Sequence, residues 1–251
     1  MRIALLRTPG GDRFARLDGP RAHGLDAAPW LGGRETVETW TWGEADLRCP
    51  VRPSKIVCIG RNYAAHAREL GHDVPSEPLL FLKAPSSLAG PGDTVRLPPE
   101  SSRVEHEAEL AVVIGSRAKN VSPGGALAHV LGYSCACDVT ARDLQRKDVQ
   151  FTRSKSFDTF CPVGPWIETE LDPAALEVKC RVDGHTRQDG STRHMIFDVP
   201  TLVSFASHMM TLEPGDVILT GTPEGVGPLV AGASLEVEIG GIGVLEFGVG
   251  T

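Results

Sequence analysis

No stretch of this sequence approaches the roughly 18 consecutive apolar residues that a membrane-spanning helix needs. The opening Arg2-Ile3-Ala4-Leu5-Leu6 is also too short for the apolar core of a targeting signal. Basic runs are missing too, and the net charge is −7. Nucleic acid is therefore excluded as an expected partner, and any anionic substrate needs a local positive site. The six cysteines, at 49, 58, 135, 137, 161 and 180, have no zinc-ligand spacing, since Cys135-x-Cys137 is a single isolated pair. They read as reduced thiols of a cytoplasmic protein. There is no βαβ alternation, and no phosphate loop. The glycine-rich Gly221-Thr222-Pro223-Glu224-Gly225-Val226-Gly227 lacks the lysine that nucleotide phosphates require.

What is present is a strand with acids built into it. Val104 to Leu110 reads Val-Glu-His-Glu-Ala-Glu-Leu and continues as Ala111-Val112-Val113-Ile114-Gly115, a buried strand closed by glycine. Side chains alternate along a strand, so Glu105, Glu107 and Glu109 share one face, whose continuation is Ala111 and Val113. Like charges entering a core need a cation, and carboxylate oxygens are hard ligands. Mg²⁺ or Mn²⁺ is expected, with Ca²⁺ a further option, and zinc is disfavoured. Asp138 supplies a third carboxylate where the apolar Ser134-Cys135-Ala136-Cys137 ends. Glu107, Glu109 and Asp138 are the expected ligands, with Glu105 an acid behind them. The alternative is that these acids line a wet sheet edge.

Glycine and proline, 28 and 19 residues, make about 19% of the 251-residue chain, which points to many turns and short strands. Residues 1–50 read as a small β-containing N-terminal domain. It starts with a hairpin of Ile3 to Arg7 and Phe14 to Leu17 and holds packing tryptophans at 30, 40 and 42. Cys49 to Pro53 reads as a linker to a second domain, residues 51–251. There Lys55 to Gly60 is a strand, and Asn62 is placed to cap a helix from Tyr63 to Leu70 that ends at Gly71. His66 and Glu69 are three apart on that helix and share a face. A histidine held by a carboxylate suits a general base, though a surface pair would look the same.

Pro78 to Lys83 is a further strand ending in Lys83, which is either a substrate contact or a surface charge. Asp138, Arg142 and Gln145, at i, i+4 and i+7, can share a helical face, and Arg142 has a salt bridge to Asp138 or Asp143 as its alternative. Leu176 to Gln188 carries a hairpin signal at Asp183-Gly184. Val199 to Met209 is the clear amphipathic helix of the C-terminal half. Strands dominate and helices are few, so the chain is a β-rich α+β protein.

Three motifs in order, Glu107-Ala108-Glu109-Leu110, Asp138-Val139-Thr140-Ala141-Arg142-Asp143-Leu144-Gln145 and Lys155-Ser156-Phe157, resemble the fumarylacetoacetate hydrolase family. The resemblance runs from about Lys55 to the C-terminus and is closest to the acylpyruvase and 2-hydroxyhepta-2,4-diene-1,7-dioate isomerase-like branch. It implies a rolled, multi-layer β-sandwich with a small N-terminal domain, assembled as a homodimer. It implies His66, Glu69 and Lys155 as catalytic residues. Arg61, Tyr63, Lys83, Arg142, Gln145 and Thr222 are implied around a small 2-oxo acid. Three carboxylates leave open positions on an octahedral cation that a 2-oxo acid can fill. Hydrolysis of an acylpyruvate to pyruvate and a carboxylic acid is the first expectation. Isomerisation of a 2-hydroxydienoic diacid, or decarboxylation of oxaloacetate, is the alternative on the same site. An oxo-acid-binding protein without turnover is a rival of another class. Residues from about Asn62 to Pro78 are expected to act as a lid.

Overall fold

The computed structural model describes residues 1–251. Its helices are short: α1 (Ala64–Glu69), α2 (Pro123–Ala126), α3 (Arg142–Lys147), α4 (Thr152–Lys155) and α5 (Val199–Met209). Only α5 is long enough to bury a stripe of its own. It buries Val199, Leu202, Val203 and Ala206, and the Asp198 side chain accepts from the Thr201 N–H at its start. No helix is long and apolar enough to cross a membrane.

Strands make the rest. The largest sheet has twelve, and towards one edge it runs Cys161–Glu168, Val130–Cys137, Ala108–Ile114, Val217–Leu219, Ile56–Gly60 and, at the edge itself, Leu79–Lys83. A five-stranded sheet, from His185–Ser191 to Thr94–Arg96, lies against it. Ala108–Ile114 is buried on both faces, which explains the unbroken apolar run from Leu110 to Ile114 that follows Glu109. Leu110, Val112 and Ile114 join a core of 36 residues shared with Val178, Val237 and Leu245 of the smaller sheet. Ala111 and Val113 join a second core with Ile56, Cys58 and Val217. The two sheets and these cores form the multi-layer β-sandwich expected from the resemblance.

Residues 1–50 build five strands, Arg2–Thr8, Gly11–Asp18, Arg21–Leu25, Glu35–Thr41 and the two-residue Leu47–Arg48, over a core of their own containing Leu6, Ala15 and Leu17. They extend the large sheet through Arg2 opposite Glu168 and Ile3 opposite Ile167. The tryptophan-bearing stretch contains the strand Glu35–Thr41. That strand is almost wholly exposed, so it carries no apolar alternation to read. The tryptophans are packing residues, with Trp30 edge-on to Phe14 and Trp42 edge-on to Trp166. The linker expected at Cys49 to Pro53 is packed rather than free, since Cys49 and Val51 are part of the second core. The hairpin at Asp183-Gly184 forms as expected. Both turn residues have positive φ, +50° and +74°, as a twisted two-residue turn demands. All six cysteines are free and buried.

Candidate active site

The acidic run is not one strand. It breaks at Glu107, between Val104–His106 and Ala108–Ile114, which belong to different sheets. The expectation of three glutamates on one face therefore needs correcting. Glu105, still in the first strand, turns to Arg142 and Arg103 and accepts from their Nε atoms at 2.7 and 2.6 Å. Glu107 and Glu109 meet Asp138, which follows directly after the strand Val130–Cys137. The Asp138 N–H is held by the Glu107 carbonyl at 2.9 Å. One oxygen from each of the three carboxylates lies within 4.8 Å of the others, and all three residues are buried.

The electrostatics of these acids are unequal. Burial alone would raise Glu107, yet the Lys155 ammonium at 2.8 Å and the Arg142 guanidinium at 2.6 Å hold its carboxyl far below the usual range. Burial would likewise lower Lys155. Asp138, at 2.7 Å, and Glu107 more than offset this, so the lysine is held protonated. Glu109 has no cationic partner. It accepts only the Gly221 N–H at 2.6 Å, and burial together with the charges of Asp138 and Glu107 pushes it well up. A buried, oxygen-only triad with one uncompensated carboxylate fits a hard divalent cation, which Glu107, Glu109 and Asp138 would hold.

The surrounding side chains are fixed by mutual hydrogen bonds. Arg142 opens α3 and commits three nitrogens, to Glu105, to Glu107 and to Gln145 Oε1 at 2.6 Å. It pairs with neither Asp138 nor Asp143, the partners its spacing suggested. Asp143 instead accepts from Ser101 and Ser102. Nor does Asp138 share a helical face with Arg142, because it lies before the helix begins. Guanidinium groups only donate, so the Gln145 oxygen must face Arg142 and its NH₂ is left to the cavity.

A cavity of about 330 Å³ opens over the acids. Its walls include Arg61, His66, Glu107, Glu109, Arg142, Gln145, Lys155 and Thr222 of the residues expected from sequence, and also Arg146, His72, Phe81 and Phe151, which were not. His66 Nδ1 lies 3.1 Å from Glu69 Oε2, and the other Glu69 oxygen accepts the Gly225 N–H at 3.0 Å. An ionised carboxylate only accepts, so Nδ1 carries the proton and Nε2 keeps its lone pair.

Three expected substrate contacts are placed otherwise. Lys83 is fully buried behind Asp138, donating to Asp138 Oδ1 at 2.6 Å and to the Val139 carbonyl at 3.2 Å, and does not line the cavity. Its ammonium holds one oxygen of the Asp138 carboxylate. Tyr63 is also buried away from the cavity walls, bridged to Met195, and its hydroxyl has no partner. Thr222 reaches the wall, but its hydroxyl donates to the Ala108 carbonyl at 2.8 Å and accepts from Gln188 Nε2 at 2.7 Å. Its proton is therefore not available to a substrate carboxylate. Likewise the Gly221 amide serves Glu109. The expected cap, Asn62, does not cap α1. Its amide donates to the carbonyls of Phe197 and Thr220 and accepts the Phe197 N–H. Gly221, at φ +93°, passes so close to Asn62 that a Cβ would sit 2.8 Å from the Asn62 Cβ, so only glycine fits.

Gln188 is the residue that sequence reasoning passed over. It is the only fully buried position of an otherwise exposed strand, and it binds both the break after Glu107 and the loop at Thr222. A lone polar side chain at the inward position of a hairpin was the one signal for it.

Residues 55–250 match the family described as Fumarylacetoacetate (FAA) hydrolase C-terminal, and residues 1–50 match Rv2993c-like, N-terminal. The chain is 41% identical to 5-carboxymethyl-2-hydroxymuconate delta-isomerase from Mycobacterium smegmatis, with TM-score 0.92 and 100% and 99% of the two chains covered. It is 42% identical to 2-hydroxyhepta-2,4-diene-1,7-dioate isomerase from Mycobacterium marinum, with TM-score 0.91 and 100% and 98% covered. It is 47% identical over 202 residues to the mitochondrial oxaloacetate tautomerase FAHD1 of Arabidopsis thaliana, spanning 78% of this chain and 91% of that one. Motif order, the multi-layer sandwich, the buried acid triad and these similarities agree, and the chain belongs to the fumarylacetoacetate hydrolase family.

Proposed function

We propose that this protein is a divalent-metal-dependent enzyme that moves a proton on a small 2-oxo acid. It would interconvert keto and enol forms, or shift a double bond conjugated with them. The observation that carries this reading is the His66–Glu69 pair on the wall of the same cavity as Glu107 and Glu109. A divalent ion held by Glu107, Glu109 and Asp138 would supply Lewis acidity, which makes the hydrogens next to a 2-oxo group more acidic. Glu69 holds the His66 Nδ1–H, so the Nε2 lone pair is free to take a proton from one carbon and return it to oxygen or to another carbon. The substrate gains and loses one proton, and His66 ends as it began. Gln145 offers N–H donors, and the ammonium of Lys155 favours negative charge on the substrate oxygens. The names of three relatives, two isomerases and one tautomerase, support a proton shift.

Hydrolysis of an acylpyruvate remains the second reading, because the same Nε2 lone pair can take a proton from water. Proton NMR in D₂O decides between them, with Mg²⁺ or Mn²⁺ present and metal without protein as control. The proposal expects protein-dependent enol-to-keto conversion of oxaloacetate and deuterium entry at C3. It also expects a loss of roughly 10²–10⁴ in rate for His66→Ala. Acylpyruvate cleavage without accelerated exchange would put hydrolysis first. Binding of oxalate with neither reaction would favour an oxo-acid-binding protein.

A further inference from the structure

A base that works inside a filled cavity needs a route by which its proton comes and goes. His66 is buried, and its Nε2 lone pair is left to a cavity that a substrate would occupy. A second histidine lines the same cavity and has no part in the scheme above. This is His72, six residues further on, and it is exposed.

The end of α1 places it. Gly71, at φ +74°, turns the chain back on the helix. Its N–H then meets the Arg68 carbonyl at 3.0 Å, and the His72 N–H meets the Ala67 carbonyl at 2.9 Å. A helix stop with this pair of bonds lays the residue after the glycine against the preceding turn, here Ala67 or His66. Both histidines are thus carried by one helix, and any movement of α1 moves them together. Burial, then the charges of Arg61 and His66, hold the His72 imidazole below the usual histidine range, with Asp73 opposing. No hydrogen bond within the protein holds the ring. Near neutral pH it is uncharged, with one nitrogen to accept a proton and one to donate. An uncharged ring is a poor partner for an anionic substrate and a good one for a proton in transit.

We propose that His72 is a proton relay between His66 and solvent. The inference rests on the proton-transfer reading above and deepens it. A proton that His66 takes from substrate passes, directly or through a cavity water, to the free nitrogen of His72. His72 releases the proton on its other nitrogen to solvent. When His66 has to supply a proton, the same path runs inward. No electrons move, and each ring ends with the protonation it began with. His66 meets the substrate, and His72 acts only through His66.

The test follows keto–enol conversion of oxaloacetate by the Mg²⁺-loaded enzyme in dilute and in concentrated imidazole buffer, with the rate without protein subtracted. Wild type should be indifferent to buffer concentration. His72→Asn should lose about tenfold in kcat in dilute buffer, less than the 10²–10⁴ of a base acting on the substrate, because water still carries protons slowly. Concentrated imidazole should restore most of that loss, with KM and Mg²⁺ affinity as in wild type throughout. A small base in solution can replace a relay; it cannot repair a fault of shape. A second measurement needs no turnover: in the metal-free protein, the His66 ring-proton NMR signal should shift as His72 titrates, and that step should vanish in His72→Asn. Full activity of His72→Asn in dilute buffer, a loss that imidazole leaves in place, or a His66 signal blind to His72 overturns the relay. A wild type that cleaves an acylpyruvate without converting oxaloacetate overturns the proton-shift reading instead. The same buffer comparison on the cleavage then judges the relay, since His66 must still pass on the proton it takes from water. A wild type with neither reaction overturns both.

Discussion

Gln188 Nε2 donates to Thr222 Oγ1 over 2.7 Å, joining residues 34 positions apart. The same amide donates to the Pro223 carbonyl, and its oxygen accepts the Ala108 N–H at 3.0 Å and faces His106 Nδ1. One buried side chain thus ties the acid-bearing strand to the loop that carries Gly221, the donor to Glu109.

Gln188→Leu should therefore cost more than a surface change in that strand would. It leaves the Ala108 N–H and the Pro223 carbonyl buried without partners, at about 1–3 kcal/mol each. A loss of about 3 kcal/mol in urea unfolding is expected, together with weaker metal binding as Glu109 loses its fixed amide. Unchanged stability would show that the hydrogen bonds are replaced by water.

The triad makes opposite predictions for its two glutamates. In chelator, Glu107→Ala leaves Arg142 and Lys155 with fewer partners than buried cations need. It should destabilise the metal-free protein by about 3–5 kcal/mol. Glu109→Gln removes the one carboxylate that lacks a cation, so the metal-free protein should be as stable as wild type or more so. Both variants should lose metal affinity in calorimetric titration. Thermal melts with and without Mn²⁺ separate the cases, because wild type gains stability from the ion and neither variant does.

Glu69→Gln should lower turnover without touching metal affinity. The amide can present its NH₂ to His66 Nδ1, turning a held donor into an acceptor and moving the ring proton to Nε2. A rate loss approaching that of His66→Ala is expected, read in the same D₂O assay. A loss under about threefold would mean that the pair is a surface contact with no part in proton transfer.

Residues 64–76 should slow their amide exchange when metal and a 2-oxo acid are both present. α1 has only six residues, Glu69 is tied to the Gly225 loop, and Leu70 and His72 line the cavity. A ligand beneath them gives this segment a surface to close on. Exchange measured by mass spectrometry that is identical with and without oxalate and Mg²⁺ would rule out a lid.

Local chemistry determined much of this protein from sequence alone. The apolar Ala108–Ile114, the Asp183-Gly184 turn and the stripe of Val199–Met209 are set by periods and φ preferences that residues carry with them. The acid pair entering a core marked two of the three carboxylates that meet there, and the three-residue spacing of His66 and Glu69 put them in reach of each other. Which groups would be left over was decided only by the fold. Lys83 reads as a strand-end lysine that could meet a substrate. Packing buries it behind Asp138, because a buried carboxylate needs a partner and the nearby Arg142 is turned to Glu105 and Glu107. Thr222 reads as a free hydroxyl until Gln188, from a distant hairpin, occupies it. Arg142 was close to acids on both sides and chose Glu105 and Glu107 when two sheets met at the break between them. Spacing fixes which side chains can touch within a turn or a strand. Charges and hydrogen bonds buried between sheets are satisfied by whichever groups the topology brings together, and that choice is made only in three dimensions.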